Sequence, residues 1–244
     1  MVEQRQHGFT IIEVLMFLAI SGLLLFGAMA SLGGTIGNTR FNDAINTTTS
    51  YFQKQYTEVS SGRNARDATL GCSNGNVNNG NASVGSTKCV VLGRLLQFDI
   101  GTNVITTRYI VGVDTTNSSA GDSAAVIAAL PKAVVGNSNL EDTFNVPWSV
   151  AFNKNTQGAV AVNSLAIIRS PISERILFYS FQAPVNINNL TSSEIRDANL
   201  NKSVDICLRD DNTLKPRVGY IRIGTGQGQD IIRADLSPTA GTCA

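Results

Sequence analysis

The segment "HGFTIIEVLMFLAISGLLLF", residues 7–26, is unusual because it contains one acidic residue within a long apolar run. Between Phe9 and Ile36 the only charged side chain is that of Glu13. A carboxylate inside an apolar segment of membrane length is costly in lipid and usually functional. We therefore predict that the carboxylate of Glu13 binds a specific partner.

The apolar run is long enough to span a membrane. Residues 14–37 form 24 consecutive positions without a charge. As a helix they would extend about 36 Å, and a hydrocarbon core is about 30 Å thick. The polar leader before the run carries Glu3 and Arg5, whose charges cancel, so the signal for membrane orientation is weak.

Two processing fates are open for this N-terminus. A secretory signal peptide ends in a small-x-small site, and "AMA" at residues 28–30 offers one, with release before Ser31. That fate would produce an exported protein without the apolar helix. The other fate is cleavage between Gly8 and Phe9, which retains the whole helix.

The segment "GFTIIE", residues 8–13, resembles the class III signal of type IV prepilins and pseudopilins. Gly8 stands before the cut, Phe9 becomes the new N-terminus and Glu13 becomes the fifth mature residue. Gly22 stands where this family often has a glycine that loosens the helix. The resemblance covers about the first 30 residues, and this chain departs from it in having a leader that is not basic and a span without proline.

The resemblance implies a structural protein rather than an enzyme, with no cofactor. It implies cleavage after Gly8 and N-methylation of Phe9 by a prepilin peptidase/methyltransferase. The subunit would be a single-pass membrane protein with its head outside the cytoplasm, and an inner-membrane assembly platform would then build it into an extracellular filament. Its partners would be other pilin subunits, bound through the N-terminal helix, and Glu13 would meet the Phe9 amine of a neighbour. A buried ion pair of this kind is well suited to setting register.

Downstream of the apolar run the pattern changes at "SLGGTIG", residues 31–37. Each glycine costs about 1 kcal/mol in a helix interior relative to alanine. We expect a kink or a melted turn there, with Gly22, Gly33 and Gly34 giving the helix flexibility.

An amphipathic helix is predicted next, because five large apolar residues follow at helical spacing with polar residues between them. These residues are Phe41, Ile45, Phe52, Tyr56 and Val59. We predict one long bent helix from Phe9 to about Ser61. The predicted organisation is a leader at 1–8, an assembly helix at 9–37, an amphipathic helix at 38–62 and a globular β-rich head at 63–244.

Three β-hairpins and one short helix are predicted in the head. Together with the long N-terminal helix they indicate an α+β fold, a helix packed on an antiparallel sheet as in a pilin-like roll. The hairpins pair residues 88–100 with 103–113, 164–170 with 175–182, and 204–210 with 217–224, and the helix covers 122–130. The Asn-, Gly- and Ser-rich stretch 73–88 is expected to be floppy. Trp148 is expected in the core or at its edge.

Four cysteines and no C-x-x-C spacing favour two disulfides in an oxidising compartment over a redox or zinc site. Three pairings are open, and we predict the sequence-local one, Cys72–Cys89 with Cys207–Cys243. The second pair would close a C-terminal region that resembles the disulfide-bounded region of many type IV pilins.

Composition excludes few function classes by itself. A net charge of +1 and 15% charged residues give no sign of a nucleic-acid surface. His7 is the sole histidine, so removal of residues 1–8 would leave no Ser-His or Cys-His pair.

The leading hypothesis is a minor pilin. The alternatives are a type II secretion pseudopilin, a tip-located adhesin or DNA-uptake pilin with an unknown surface ligand, and an exported enzyme beginning at Ser31.

Overall fold

The chain folds as one long helix followed by a head built mainly of antiparallel strands, which confirms the predicted α+β class. The structure is a computed structural model. It describes residues 10–62, 70–73, 76–79, 89–113, 121–129, 131–133, 141–153, 162–182, 203–210, 216–224 and 231–235. The chain divides into two units, Met1–Arg40 and Phe41–Ala244, and the helix α1 (Ile11–Ser60) runs through both.

The head contains twelve described strands, a second helix α2 (Asp122–Ala128) and a short 3-10 turn (Pro147–Ser149). The strands are β1 (Leu70–Ser73), β2 (Asn76–Asn79), β3 (Cys89–Phe98), β4 (Val104–Val113), β5 (Lys132–Ala133), β6 (Glu141–Asn145), β7 (Ala151–Phe152), β8 (Ser164–Arg169), β9 (Ile176–Phe181), β10 (Val204–Asp210), β11 (Arg217–Ile223) and β12 (Ile232–Asp235).

Two larger sheets and one small hairpin organise these strands. The six-stranded sheet has the order β5-β4-β3-β8-β9, with β6 pairing along a different part of β4 from β5. The four-stranded sheet has the order β12-β11-β10-β7. The pairs β3–β4, β8–β9 and β10–β11 are antiparallel, so all three predicted hairpins are confirmed.

The second part of α1 is the amphipathic helix that the sequence predicts. All five apolar residues of the predicted stripe are at most 7% exposed, whereas Asn42, Asp43 and Lys54 are exposed. The stripe packs into a core that both larger sheets line. Gly219 of β11 permits close approach, because a Cβ there would lie 3.1 Å from the Cδ1 of Ile45.

A second core lies on the other face of the six-stranded sheet. Ala125 and Val126 of α2 are fully buried, and α2 matches the helix predicted before Pro131. This cluster also holds Leu95, Ala166 and Tyr179 of the sheet. The six-stranded sheet is therefore covered on both faces, which explains the nearly uniform burial of β8.

A polar clamp ties α1 to the six-stranded sheet. The guanidinium of Arg94, whose side chain is 12% exposed, forms an ion pair with Glu58 and donates to the Oε1 of Gln55. It also donates to the hydroxyl of Tyr109, 2.7 Å away. Removing Arg94 would leave these partly buried groups without their shared partner, so the clamp helps to hold α1 on β3 and β4.

Three expectations about local structure need correction. Trp148 is 51% exposed and not a core residue, because its backbone takes a left-handed conformation that the sequence does not reveal. The stretch predicted to be floppy, residues 73–88, contains β2, which pairs with β1, while residues 74–75 and 80–88 lie outside the described residues. α1 is helical without interruption across residues 31–37, so no melted turn occurs there. The flexibility attributed to Gly22, Gly33 and Gly34 stays a prediction.

Candidate assembly site

The N-terminus of α1 carries a capping box. The backbone N–H and the Oγ1 of Thr10 each donate to the Oε2 of Glu13 over 3.0 Å. In return the backbone N–H of Glu13 donates to the Oγ1 of Thr10 over 3.4 Å. This reciprocal arrangement gives the N–H of Thr10 an acceptor at the start of the helix, while the N–H of Glu13 also donates to the carbonyl oxygen of Thr10 over 3.1 Å. It also places a negative charge at the positive end of the helix dipole.

The capping box uses only part of the acceptor capacity of Glu13. Both bonds from Thr10 end on Oε2. Within the part of the chain that the structure describes, Oε1 accepts no hydrogen bond. A carboxylate has room for about four hydrogen bonds, so Glu13 can keep its cap and still accept a bond from a cation. The side chain is therefore held in one place with acceptor capacity left over.

After Glu13, α1 presents an apolar surface that nothing in the described chain covers. Residues 11–29 have a mean hydropathy of 2.4 and none of them is buried. Ile11 is 82% exposed, Phe17 71% and Phe26 77%. By length and composition this segment could cross a membrane. Apolar surface of this extent marks a region that is covered by lipid or by another protein.

The polar groups within the segment are satisfied by the helix itself. The hydroxyl of Ser21 donates to the carbonyl oxygen of Phe17 over 2.6 Å, so it adds little cost in an apolar environment. A Cβ added at Gly22 would meet nothing within 4 Å, which leaves the helix surface at that position open to a close neighbour.

The comparisons with known proteins identify this segment. Residues 4–29 match the family model described as the prokaryotic N-terminal methylation motif. The match includes Gly8, Phe9, Glu13 and Gly22. The N-terminal segment of this chain carries the prokaryotic N-terminal methylation motif. The motif is shared by pilins and pseudopilins, so the resemblance found in "GFTIIE" is confirmed at the level of that family. Neither the curated proteins nor the solved structures gave a match.

Several predicted site residues lie where the structure describes little. Gly8, Phe9 and Cys243 fall outside the described residues. Cys72 is in β1 and Cys89 begins β3, while Cys207 is 5% exposed in β10 and is disulfide-bonded. The pairings Cys72–Cys89 and Cys207–Cys243 stay predictions, as do the cleavage and methylation positions.

Thr10 is the site residue that the sequence analysis missed. The signal was present, because Thr10 and Glu13 have the T-x-x-E spacing of a capping box immediately before an apolar helix. The sequence-based prediction gave Glu13 a partner in another chain only. The structure adds a partner in the same chain, three residues away.

Proposed function

We propose that this protein is a structural subunit of a type IV pilus or related filament, with the role of a minor pilin. The observation that carries the proposal is the methylation motif at residues 4–29 on a helix whose residues 11–29 are apolar and exposed. The head contributes a stable core of its own, and we assign no catalytic residues. The protein is inserted in the membrane, cleaved after Gly8, methylated on Phe9 and assembled through α1.

The exposed apolar helix explains why such a protein passes between two environments. Before assembly, lipid covers Ile11–Met29, and after assembly the helices of other subunits cover it. Lipid tails and apolar side chains offer similar surroundings, so the transfer is driven by specific packing and polar contacts instead of by hydrophobicity alone. Glu13 is the charged group of the segment and is suited to provide that specificity.

The proposed partner of Glu13 is the α-amine of Phe9 in a neighbouring subunit. Cleavage after Gly8 creates this amine, so the ion pair can form only after processing. A charge in lipid is costly, and pairing inside a helical bundle relieves that cost. The pair thereby links processing to assembly and fixes the register of adjacent helices.

A type II secretion pseudopilin is the alternative within the same family, because the methylation motif occurs in both. A tip-located adhesin or DNA-uptake pilin would use the same helix and differ in what the head binds. These functions separate in a strain that lacks the natural gene. A pseudopilin is needed for protein secretion, an adhesin for attachment with filaments intact, and a DNA-uptake pilin for transformation.

Fractionation of sheared surface filaments tests the filament-subunit proposal. We expect the processed protein in the filament fraction, at a small fraction of the amount of the most abundant pilin. Finding it only in the membrane, with filaments present and free of it, would contradict a filament role.

We expect Thr10→Val to loosen the first turn of α1. The variant keeps the shape of threonine and loses both hydroxyl hydrogen bonds of the capping box. Loss of an N-cap typically costs about 0.5–2 kcal/mol, or roughly 2- to 30-fold in an opening equilibrium. Amide hydrogen exchange of the protein in detergent micelles should accelerate by that factor at residues 11–13. Thr10→Ser, which keeps the hydroxyl, should exchange like the natural protein, and equal rates for both variants would refute the cap.

A further inference from the structure

Trp148 is unusual in the head because its large apolar side chain is exposed to solvent. In the described part of residues 41–244, the exposed large hydrophobic residues are Trp148, at 51%, and Ile172, at 40%. Trp148 lies in the short 3-10 turn between β6 and β7. Tryptophan is among the residues most enriched at the centres of protein interfaces.

The backbone around Trp148 is held in an unfavourable conformation. Trp148 has φ 62° and ψ 25°, and Ser149 has φ 57°. Left-handed backbone is uncommon for bulky residues, and it persists only where the surroundings enforce it. The flanking Val146 and Val150 are each 1% exposed and anchor both ends of the turn in the core. The backbone N–H of Val146 also donates to the carbonyl of Asn103 over 2.7 Å.

The indole is fixed by α1. Its Nε1–H donates to the Oδ2 of Asp43 over 2.7 Å. This bond uses the only polar group of the ring, so the surface that Trp148 offers to a partner is apolar. A side chain already fixed in its exposed position loses little conformational entropy when a partner binds.

The neighbouring surface of α1 has the exposed charged residues Arg40 and Asp43 at one end and no charged residue from 44 to 53. Its exposed residues around Asp43 are short and polar: Asn42, Asn46, Thr47 and Ser50. Asn, Thr and Ser are weaker helix formers than the Lys and Glu common on solvated helix faces. Lys54 and Glu58 occur only later in α1. The face of α1 that continues beyond Asp43 to residue 53 is therefore uncharged, and a low content of charged residues is typical of the core of an interface.

From these observations we infer that Trp148 and the adjacent face of α1 form a docking surface for another pilin-like subunit. This inference rests on the proposed function, which already places neighbouring subunits against α1. The bond to Asp43 joins Trp148 to that same helix. The docking surface is thus a second subunit contact, located on the head and separate from Glu13.

Trp148→Ala tests the inference in a strain that lacks the natural gene. We expect at least a tenfold lower amount of the variant in sheared filaments, with unchanged membrane level and melting temperature. Ile172→Ala is the matched control, because it removes the other exposed apolar side chain of the described head, and it should enter filaments normally. A photo-crosslinking amino acid at position 148 should give a product with another pilin-like subunit.

A second variant separates docking from a purely structural role. Asp43→Ala removes the bond to the indole and keeps the ring. If Asp43→Ala and Trp148→Ala lower the melting temperature and the incorporation equally, Trp148 only fastens the turn to α1 and the inference is wrong. Normal incorporation of Trp148→Ala, or crosslinks to lipid alone, would also overturn it. Absence of the natural protein from filaments would instead overturn the proposed function, and this inference with it.

Discussion

Replacing Glu13 by alanine should leave membrane insertion and cleavage after Gly8 intact but lower the amount of protein in filaments by at least tenfold. Breaking a buried ion pair by removing one partner typically costs about 3–5 kcal/mol, and tenfold corresponds to about 1.4 kcal/mol. Insertion should persist because the variant makes the segment more apolar. The measurements are an immunoblot of sheared filaments and the N-terminal mass of the membrane-bound protein.

Glu13→Gln separates the charge from the capping box. Glutamine still accepts hydrogen bonds from Thr10 and is also found at this position of capping boxes. If the ion pair with a neighbour drives assembly, Glu13→Gln should fail to assemble almost as completely as Glu13→Ala. If Glu13→Gln assembles normally, capping alone is sufficient. Normal assembly of Glu13→Ala would remove the pairing hypothesis altogether.

Gly93→Ala should destabilise the head more than any other glycine substitution described here. A Cβ at this position would overlap the carbonyl oxygen of Ile167 and lie 2.9 Å from the Cα of Ile168. Both are backbone atoms of β8, so a side-chain adjustment cannot relieve the clash. Gly93 also borders the register shift between β3 and β4, which would have to move with it.

The expected loss is about 3 kcal/mol, the upper part of the usual range for overpacking. For a unit of this size that corresponds to a melting temperature lower by roughly 6–12 °C. Circular dichroism of the full-length protein in detergent measures it. Gly224→Ala is the control, because a Cβ there would lie no closer than 3.7 Å to any atom beyond its chain neighbours, and its melting temperature should stay nearly unchanged. Equal melting of the two variants would show that β3 and β8 do not approach as closely as described.

The elements that sequence predicts well are those specified by local pattern. The stripe from Phe41 to Val59 repeats at helical spacing, and each hairpin joins two β-rich runs across a short turn. The pairings of β3 with β8, of β4 with β6 and of β10 with β7 join segments far apart in sequence, which periodicity does not encode. Their register depends on close approaches such as Gly93 against β8, which only the assembled fold reveals.

In the candidate site, too, some features follow from local sequence and others depend on the assembled fold. The spacing of Gly8, Phe9 and Glu13 pointed to the methylation motif, because that motif is a local sequence pattern that can be recognised without the fold. The exposure of Trp148 could not be predicted, since tryptophan is usually well buried and the left-handed backbone that turns it outward depends on the buried Val146 and Val150. Residue type alone therefore led to the wrong prediction that Trp148 lies in the core or at its edge.

The mass of the mature N-terminus is the most direct test of whether the apolar helix stays with the protein. Mass spectrometry of the protein from the cell envelope and from filaments should give a chain that begins at an N-methylated Phe9. A secreted chain that begins at Ser31, with none retained in the envelope, would contradict the account.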